Sequence, residues 1–395
     1  MAWSTRVCPI ESDSGHLYAN LPTDYYVSPI WAESLRDADR VEEKFYHYCR
    51  RAGPLCAIYR DGDTQDSIRA RVQGVFLALN KDPLSGVSPY SNLPFTFTHD
   101  KLKSLIFSGL YNPIFAFPPI ASILSALYER DEQQILRMLP VFYPSYKPFC
   151  STLEPAYLFP GQDAQLAIMC TDKRYPLNET LSNLEKRFEA LAHISHFADI
   201  WMSLMLGCNA YDITPTDPPM RWDDHPAHKQ TPLNTSFPLL FLSNTADPVT
   251  PLFAGVKMAR KFVNAGFVEQ RSEGHCSLAA VSRCTLTAVR EYFEEGRVPE
   301  RPRWGTDGQE VEKGIWRRCE ADEWPWKQFD REAWMVEIEA KLREGTPGRD
   351  VDFQASMEEE ARSGRRMEDW RDVQEFSKTF FRPRGMIGEL NPSIW

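Results

Sequence analysis

"FPLLFLSNTADPVTP", Phe237 to Pro251, drives a short, continuous apolar run into an aspartate. A run of this length, bounded by turn residues, is what a strand buried on both faces requires. "PLFAGVKMARKFVNAG" follows it as a helix, with Phe253, Val256, Ala259 and Phe262 on one side and Gly266 just past its end. "FVEQRS" reads as a second strand, running into "EGHC" with His275, and "RCTLTAVREYFEEG" as a closing helix ended by Gly296. Strand–helix–strand–helix predicts two parallel strands joined by a crossover. The loops after both strands then open on the same sheet edge, where open α/β folds carry their sites. Asp247 and His275 both stand there. A carboxylate in that position can accept a hydrogen bond from one imidazole nitrogen while the other nitrogen exchanges a proton. An aspartate after a strand is ordinary turn chemistry; an Asp and a His in this order, one crossover apart, form a more specific pattern.

Ahead of this unit the chain reads as mostly helical. "WAESLRDADRVEEKFYHYCRRAG" spaces Leu35, Val41, Phe45 and Tyr48 helically, and "TQDSIRARVQGVFLALNKDP" is a second amphipathic helix with Asp66 near its start. Pro83 to Pro94 reads as a loop. "THDKLKSLIFSGLY" and "IASILSALYERDEQQILRML" are helices expected to flank a proline-rich break. "NETLSNLEKRFEALAHISHFADIWMSLMLGC" is one long helix or two, and 209–236 a polar connector. His193 and His196, three apart, would share a helical face, but no third ligand stands in a motif with them, so ordinary helix histidines are expected and no metal or cofactor.

From Arg301 the charge thickens, with both signs interleaved. "REAWMVEIEAKLREG" places Trp334, Ile338 and Leu342 on one face, with Glu337/Lys341 and Glu339/Arg343 as favourable pairs. A further helix is expected with Trp370, Val373, Phe376 and Phe380 on one side. Their stripes suit docking on the main body or on a protein partner.

The net charge of −10 and the lack of a clustered basic face exclude a nucleic-acid surface. The longest apolar stretch, Asn112 to Tyr128, contains three prolines and falls short of a membrane span. Nine cysteines lack the regular CxxC spacing of a zinc site. Neighbours in sequence make Cys49 with Cys56, Cys170 with Cys208, and Cys276 with Cys284 the candidate disulfides, against buried thiols throughout. Asn178 in "NET" and Asn234 in "NTS" are glycosylation sequons. Disulfides and sequons suit a secreted protein, whereas "MAWSTRVCPIESDSGHLY" is no signal peptide.

"LLFLSNTADPVTPLFAGVKMARKF" and "EGHCSLAAVSRCTLTAVREYFEEGRVPE" resemble the carboxy-terminal region of the tripeptidyl aminopeptidase-like α/β-hydrolases, secreted or cell-associated serine hydrolases of bacteria and fungi. "NTADPVTP" and "GHCS" match the acid and base motifs of that family, which implies Asp247 as the acid and His275 as the base. "DYYVSPIWAESLRDADRVEEKFYHYCRRAGPLCAIYRDGDT" and "AIMCTDKRYPLNETLSNLEKRFEALAHISHFADIW" resemble its cap, and "CEADEWP" its closing segment. The resemblance spans roughly residues 20–325. It implies an incomplete α/β-hydrolase fold: a mostly helical cap (1–225) and the last strand–helix units of the parallel sheet (226–325), to which the residues themselves add a charged helical tail (326–395) outside the resemblance.

The serine nucleophile of such an enzyme sits in G-x-S-x-G between a strand and a helix. Only "GVSPY", Gly86 to Tyr90, comes near it. Tyr90 replaces the second glycine, and Pro89 offers no N–H to an oxyanion, so Ser88 is read as a loop serine. The resemblance places the nucleophile-bearing core before the cap, so the chain is expected to begin after that core and after any leader. Three readings follow: the downstream part of a serine hydrolase, truncated or split, acting on peptides, amides or esters; an inactive interaction module or pseudoenzyme; or an active hydrolase with an unrecognised nucleophile. The first is preferred, because a cap with only two clear strands would expose apolar sheet edges.

Overall fold

The computed structural model describes residues 16–17, 31–87, 94–142, 161–171, 177–209, 211, 213, 233–303, 314–330, 333 and 336. Residues up to Gln328 belong to one compact unit; a second, from Phe329 to Pro392, is almost wholly outside the described residues, as are its expected tail helices.

Strand β1 (His16–Leu17) comes first. After a 3-10 turn, Ala32–Asp37, helix α1 (Ala38–Ala52) and helix α2 (Gln65–Lys81) follow. α1 buries Val41, Phe45, Tyr46 and Cys49, while Tyr48, expected on that face, is only half-buried. α2 starts from a reciprocal cap: the Thr64 hydroxyl accepts the Ser67 N–H and the Ser67 hydroxyl accepts the Thr64 N–H.

The expected loop from Pro83 is in part an antiparallel hairpin of β2 (Leu84–Val87) and β3 (Pro94–Phe97). Its strands are four residues each and half-exposed, too short to show an alternation in sequence. The intervening Ser88 lies outside the described residues.

Helix α3 (His99–Gly109) is capped by the Thr98 hydroxyl, and α4 (Pro113–Glu129) runs straight through Pro118 and Pro119 where a break was expected. Pro113 opens α4 at a position whose N–H has no helical partner anyway. Burial of Phe117, Ile120, Ala121, Ile123 and Leu124 outweighs the hydrogen bonds that the interior prolines forgo. Then come α5 (Glu132–Phe142), α6 (Gly161–Thr171), α7 (Leu181–Ala192) and α8 (Ala198–Leu206). His193 and His196 therefore sit at the break between two helices rather than along one face. An aromatic chain binds this layer: Phe45 meets Phe117 edge-on at 5.2 Å, and Phe107 meets Phe197 at 5.1 Å.

The sheet follows. β4 (Leu240–Ala246), α9 (Leu252–Ala259), β5 (Gly266–Glu273), α10 (Arg283–Glu295) and β6 (Arg317–Glu320) complete the described elements. The strand order is β1-β4-β5-β6, every pair parallel, so two strands join the two legible in sequence. Both faces are covered. Leu240, Leu242 and Val268 pack with Ala288 and Tyr292 of α10, while Phe241 and Phe267 pack with Val256 and Ala259 of α9. Period-two alternation sends neighbouring strand residues to opposite faces, which is why both must be apolar. Ser282 caps α10, and Gly296 ends it at φ 66°, in the left-handed region where a glycine belongs.

Among the described residues three disulfides staple the unit: Cys49–Cys56, Cys170–Cys208 and Cys284–Cys319. The last corrects the expected Cys276–Cys284 pairing. Cys276 stands beside His275 in the loop after β5 and remains a buried thiol, whereas Cys284 opens α10 against the neighbouring strand β6. Sequence proximity misled because the helix and the strand meet through the sheet. Among the described residues no helix is long and apolar enough to cross a membrane.

Candidate active site

β4 ends at Ala246 and delivers Asp247 into the turn that precedes α9; β5 ends at Glu273 and delivers His275. Pairing of the strands brings the two loops together, and His275 Nδ1 lies 3.1 Å from Asp247 Oδ1 and 3.2 Å from Oδ2. Asp247 is 2% exposed, yet its carboxylate is well supplied with donors. Oδ1 accepts the N–H groups of Val249 at 3.0 Å and Thr250 at 2.8 Å. Oδ2 accepts the Thr250 hydroxyl at 2.7 Å and the Cys276 N–H at 2.9 Å. Burial alone would raise the carboxyl's pKa; the charge and hydrogen bond of His275, with the Cys276 and Thr250 donors, outweigh it and hold the group below its usual range. The aspartate therefore stays ionised.

The His275 backbone is pinned from the helical layer. Its N–H donates to the Tyr111 carbonyl at 2.8 Å, and the Tyr111 ring stands edge-on to the imidazole at 5.2 Å. Gly274 before it has φ 114°, and a Cβ there would come within 2.7 Å of Pro113 and Ala279 and 2.9 Å of the Tyr111 carbonyl. Only glycine fits. Cys276 after it also has positive φ, 62°.

Helix α1 and the turn before it reach the ends of both strands. Arg40 donates to the Thr245 carbonyl at 3.2 Å, and Asp37 accepts the Leu252 N–H at 3.4 Å. Lys44 pairs with Glu273 at 2.8 Å, and the Tyr48 hydroxyl donates to the same carboxylate at 2.6 Å. Burial raises the Asp37 pKa to about 6; Arg40 and the Leu252 N–H oppose that rise, and the nearby Asp247 charge adds to it.

His196, expected as an ordinary helix histidine, bridges two carboxylates, Asp39 at 3.2 Å and Glu42 at 3.1 Å. Burial works against its charge, but hydrogen bonds to Asp39 and Glu42 carry its pKa up to about 9. Among the described residues no group of three or more His, Cys, Asp or Glu is set to hold a metal. Asn178 and Asn234 are both exposed.

Residues 194–306 match the family model described as TAP-like protein. This segment is a TAP-like α/β-hydrolase domain. It takes in α8, both strands that deliver Asp247 and His275, and the helices on the two faces of the sheet. No curated protein matches the chain. Asp247 and His275, singled out in the sequence as candidate acid and base, are brought together here; Thr250, whose hydroxyl three residues after Asp247 is a recurrent turn donor, carried a signal that was passed over. Also passed over were Asp37 and the buried polar residues Asn244, Gln270 and Ser272. Polar side chains in a strand otherwise buried on both faces were the available signal, because each needs a partner there.

Proposed function

We propose that Asp247 and His275 are the acid and base of a serine-hydrolase-type site that cleaves peptide, amide or ester bonds. The observation that carries this reading is the contact of His275 Nδ1 with a buried, donor-rich carboxylate. That contact sets the tautomer with the proton on Nδ1 and leaves Nε2 to take a proton from an attacking hydroxyl and return it to the leaving group. The ionised Asp247 then stabilises the imidazolium formed between those steps. The His275 side chain keeps 20% of its surface exposed, so the ring is within reach of a reacting group. The nucleophile is a serine hydroxyl not assigned to any described residue. Release of an amino acid or short peptide from an amino terminus is the substrate class favoured by the aminopeptidase-like resemblance. Three disulfides and two exposed sequons support maturation in an oxidising compartment.

The absence of a G-x-S-x-G motif favours a second reading, an inactive module that keeps the cap and part of the sheet. A fluorophosphonate probe applied to the protein recovered from its native source, with any tightly bound partner, separates the two. Labelling of this chain or its partner that disappears in a folded His275→Ala variant supports the hydrolase. Equal absence of label in both supports the module.

A further inference from the structure

Behind the dyad lies a chain of polar side chains that the acid–base reading does not use. Asn244, on β4, is wholly buried, and its amide nitrogen donates to the Gly274 carbonyl at 2.8 Å and the Cys276 carbonyl at 2.7 Å. Those are the two residues that bracket His275, and both adopt positive φ. We propose that Asn244 is a positioning residue for His275, its one amide gripping the backbone on either side of the imidazole and so fixing the ring against Asp247.

Each step in the chain has a defined direction. Asn244 Oδ1 accepts the Ser272 hydroxyl at 3.0 Å, which orients the amide with its NH2 toward the two carbonyls. Ser272 in turn accepts from Gln270 Nε2 at 3.0 Å, and that nitrogen also lies 2.9 Å from the Ser277 carbonyl and 3.0 Å from the Ala280 carbonyl. Exposures of 0%, 4% and 1% for Asn244, Ser272 and Gln270 mean that bulk water cannot replace a lost donor. A left-handed conformation on both sides of one residue persists only when its surroundings over-determine it. The Asn244 amide supplies that constraint on the two peptide groups concerned, whereas Gln270 holds the chain farther on. The catalytic meaning of this role rests on the acid–base reading above; the geometry itself does not.

The test compares Asn244→Leu, which removes both donors at similar volume, with Gln270→Met, which cuts the same chain one step away and leaves the Gly274 and Cys276 carbonyls held. The full-length protein is labelled with 13C-histidine, and the His275 ring signal is identified by its loss in His275→Gln. Its pH titration is then followed by NMR. Asn244→Leu is expected to move the midpoint toward that of Asp247→Asn by about one unit, tenfold in proton affinity. Gln270→Met is expected to leave it within a few tenths of a unit. An unmoved midpoint in Asn244→Leu, or an equal shift in Gln270→Met, overturns the proposal, because a purely structural role would not distinguish the two. If Asn244→Leu does not fold, Asn244→Ser, whose short hydroxyl cannot reach both carbonyls, carries the same comparison: a moved midpoint supports the proposal and an unmoved one sinks it. Failure of the hydrolase reading would appear separately, as absent fluorophosphonate labelling, with this titration unaffected.

Discussion

Asp37 is a buried carboxyl near a second carboxylate, and replacing it should stabilise the protein at neutral pH. Its pKa stands at about 6 against an ordinary 3.8, and only 14% of its side chain is exposed. A folded-state pKa above the unfolded value means that the proton is bound more tightly when folded. Stability from this group is therefore fully present below pH 3.8 and is lost as pH rises through 6. The difference of about two units, at about 1.4 kcal/mol each, amounts to roughly 3 kcal/mol of lost stability above pH 6. Asp37→Asn copies the shape of the protonated acid and keeps an oxygen for the Leu252 N–H. Urea unfolding of both proteins at intervals from pH 3.5 to 7.5 measures the difference, and shared effects of other carboxylates cancel in it. Asp37→Asn should be level with the parent at the acid end and about 3 kcal/mol more stable at the neutral end. A flat difference across the range, or a loss at pH 7.5, would refute the burial argument and point to the Arg40 pair as the dominant interaction.

Three further outcomes are expected. The bridge from His196 to Asp39 and Glu42 contributes stability below pH 6.5 that fades as pH rises through about 9; because the ring is 47% exposed, His196→Gln should cost no more than about 1 kcal/mol at pH 6 and nothing at pH 10, by thermal melts. Non-reducing peptide mapping should link Cys284 to Cys319 and find Cys276 as a thiol, and Cys284→Ala should cost about 4 kcal/mol in chemical unfolding, from closure of a loop with a sequence separation of 35. Gly274→Ala should lose more than about 2 kcal/mol, since φ 114° disfavours any Cβ and the Tyr111 carbonyl is backbone that cannot step aside; a melt unchanged from the parent would contradict the packing described around His275.

The strand–helix–strand–helix unit was legible because its strands are buried on both faces, so apolar run, turn and periodic helix follow one another without ambiguity. Asp247 and His275 were legible for the same reason, each standing just beyond a strand end. The partners that hold them were not. Tyr111, which holds the His275 backbone, and Asp37 and Lys44, which hold Leu252 and Glu273 beside the pair, come from distant parts of the chain, and no local pattern records that the helix starting after Asp37 will reach the ends of β4 and β5. Cys319 was invisible as the partner of Cys284 because β6 has only four residues and its place beside β5 is a tertiary fact. The prolines of α4 show the opposite failure: a strong local signal for a break was overridden by burial of the side chains around it.

The grip of α1 on both strand ends has a consequence for how this polypeptide could be divided. A fragment starting at β4 would carry Glu273 without Lys44 and Tyr48, the Thr245 carbonyl without Arg40, and the Leu252 N–H without Asp37. The matched segment 194–306 begins long after that helix ends. A gene fusion or rearrangement that moved the segment alone to a new host would therefore leave behind the contacts from α1 and its preceding turn that steady the two strand ends.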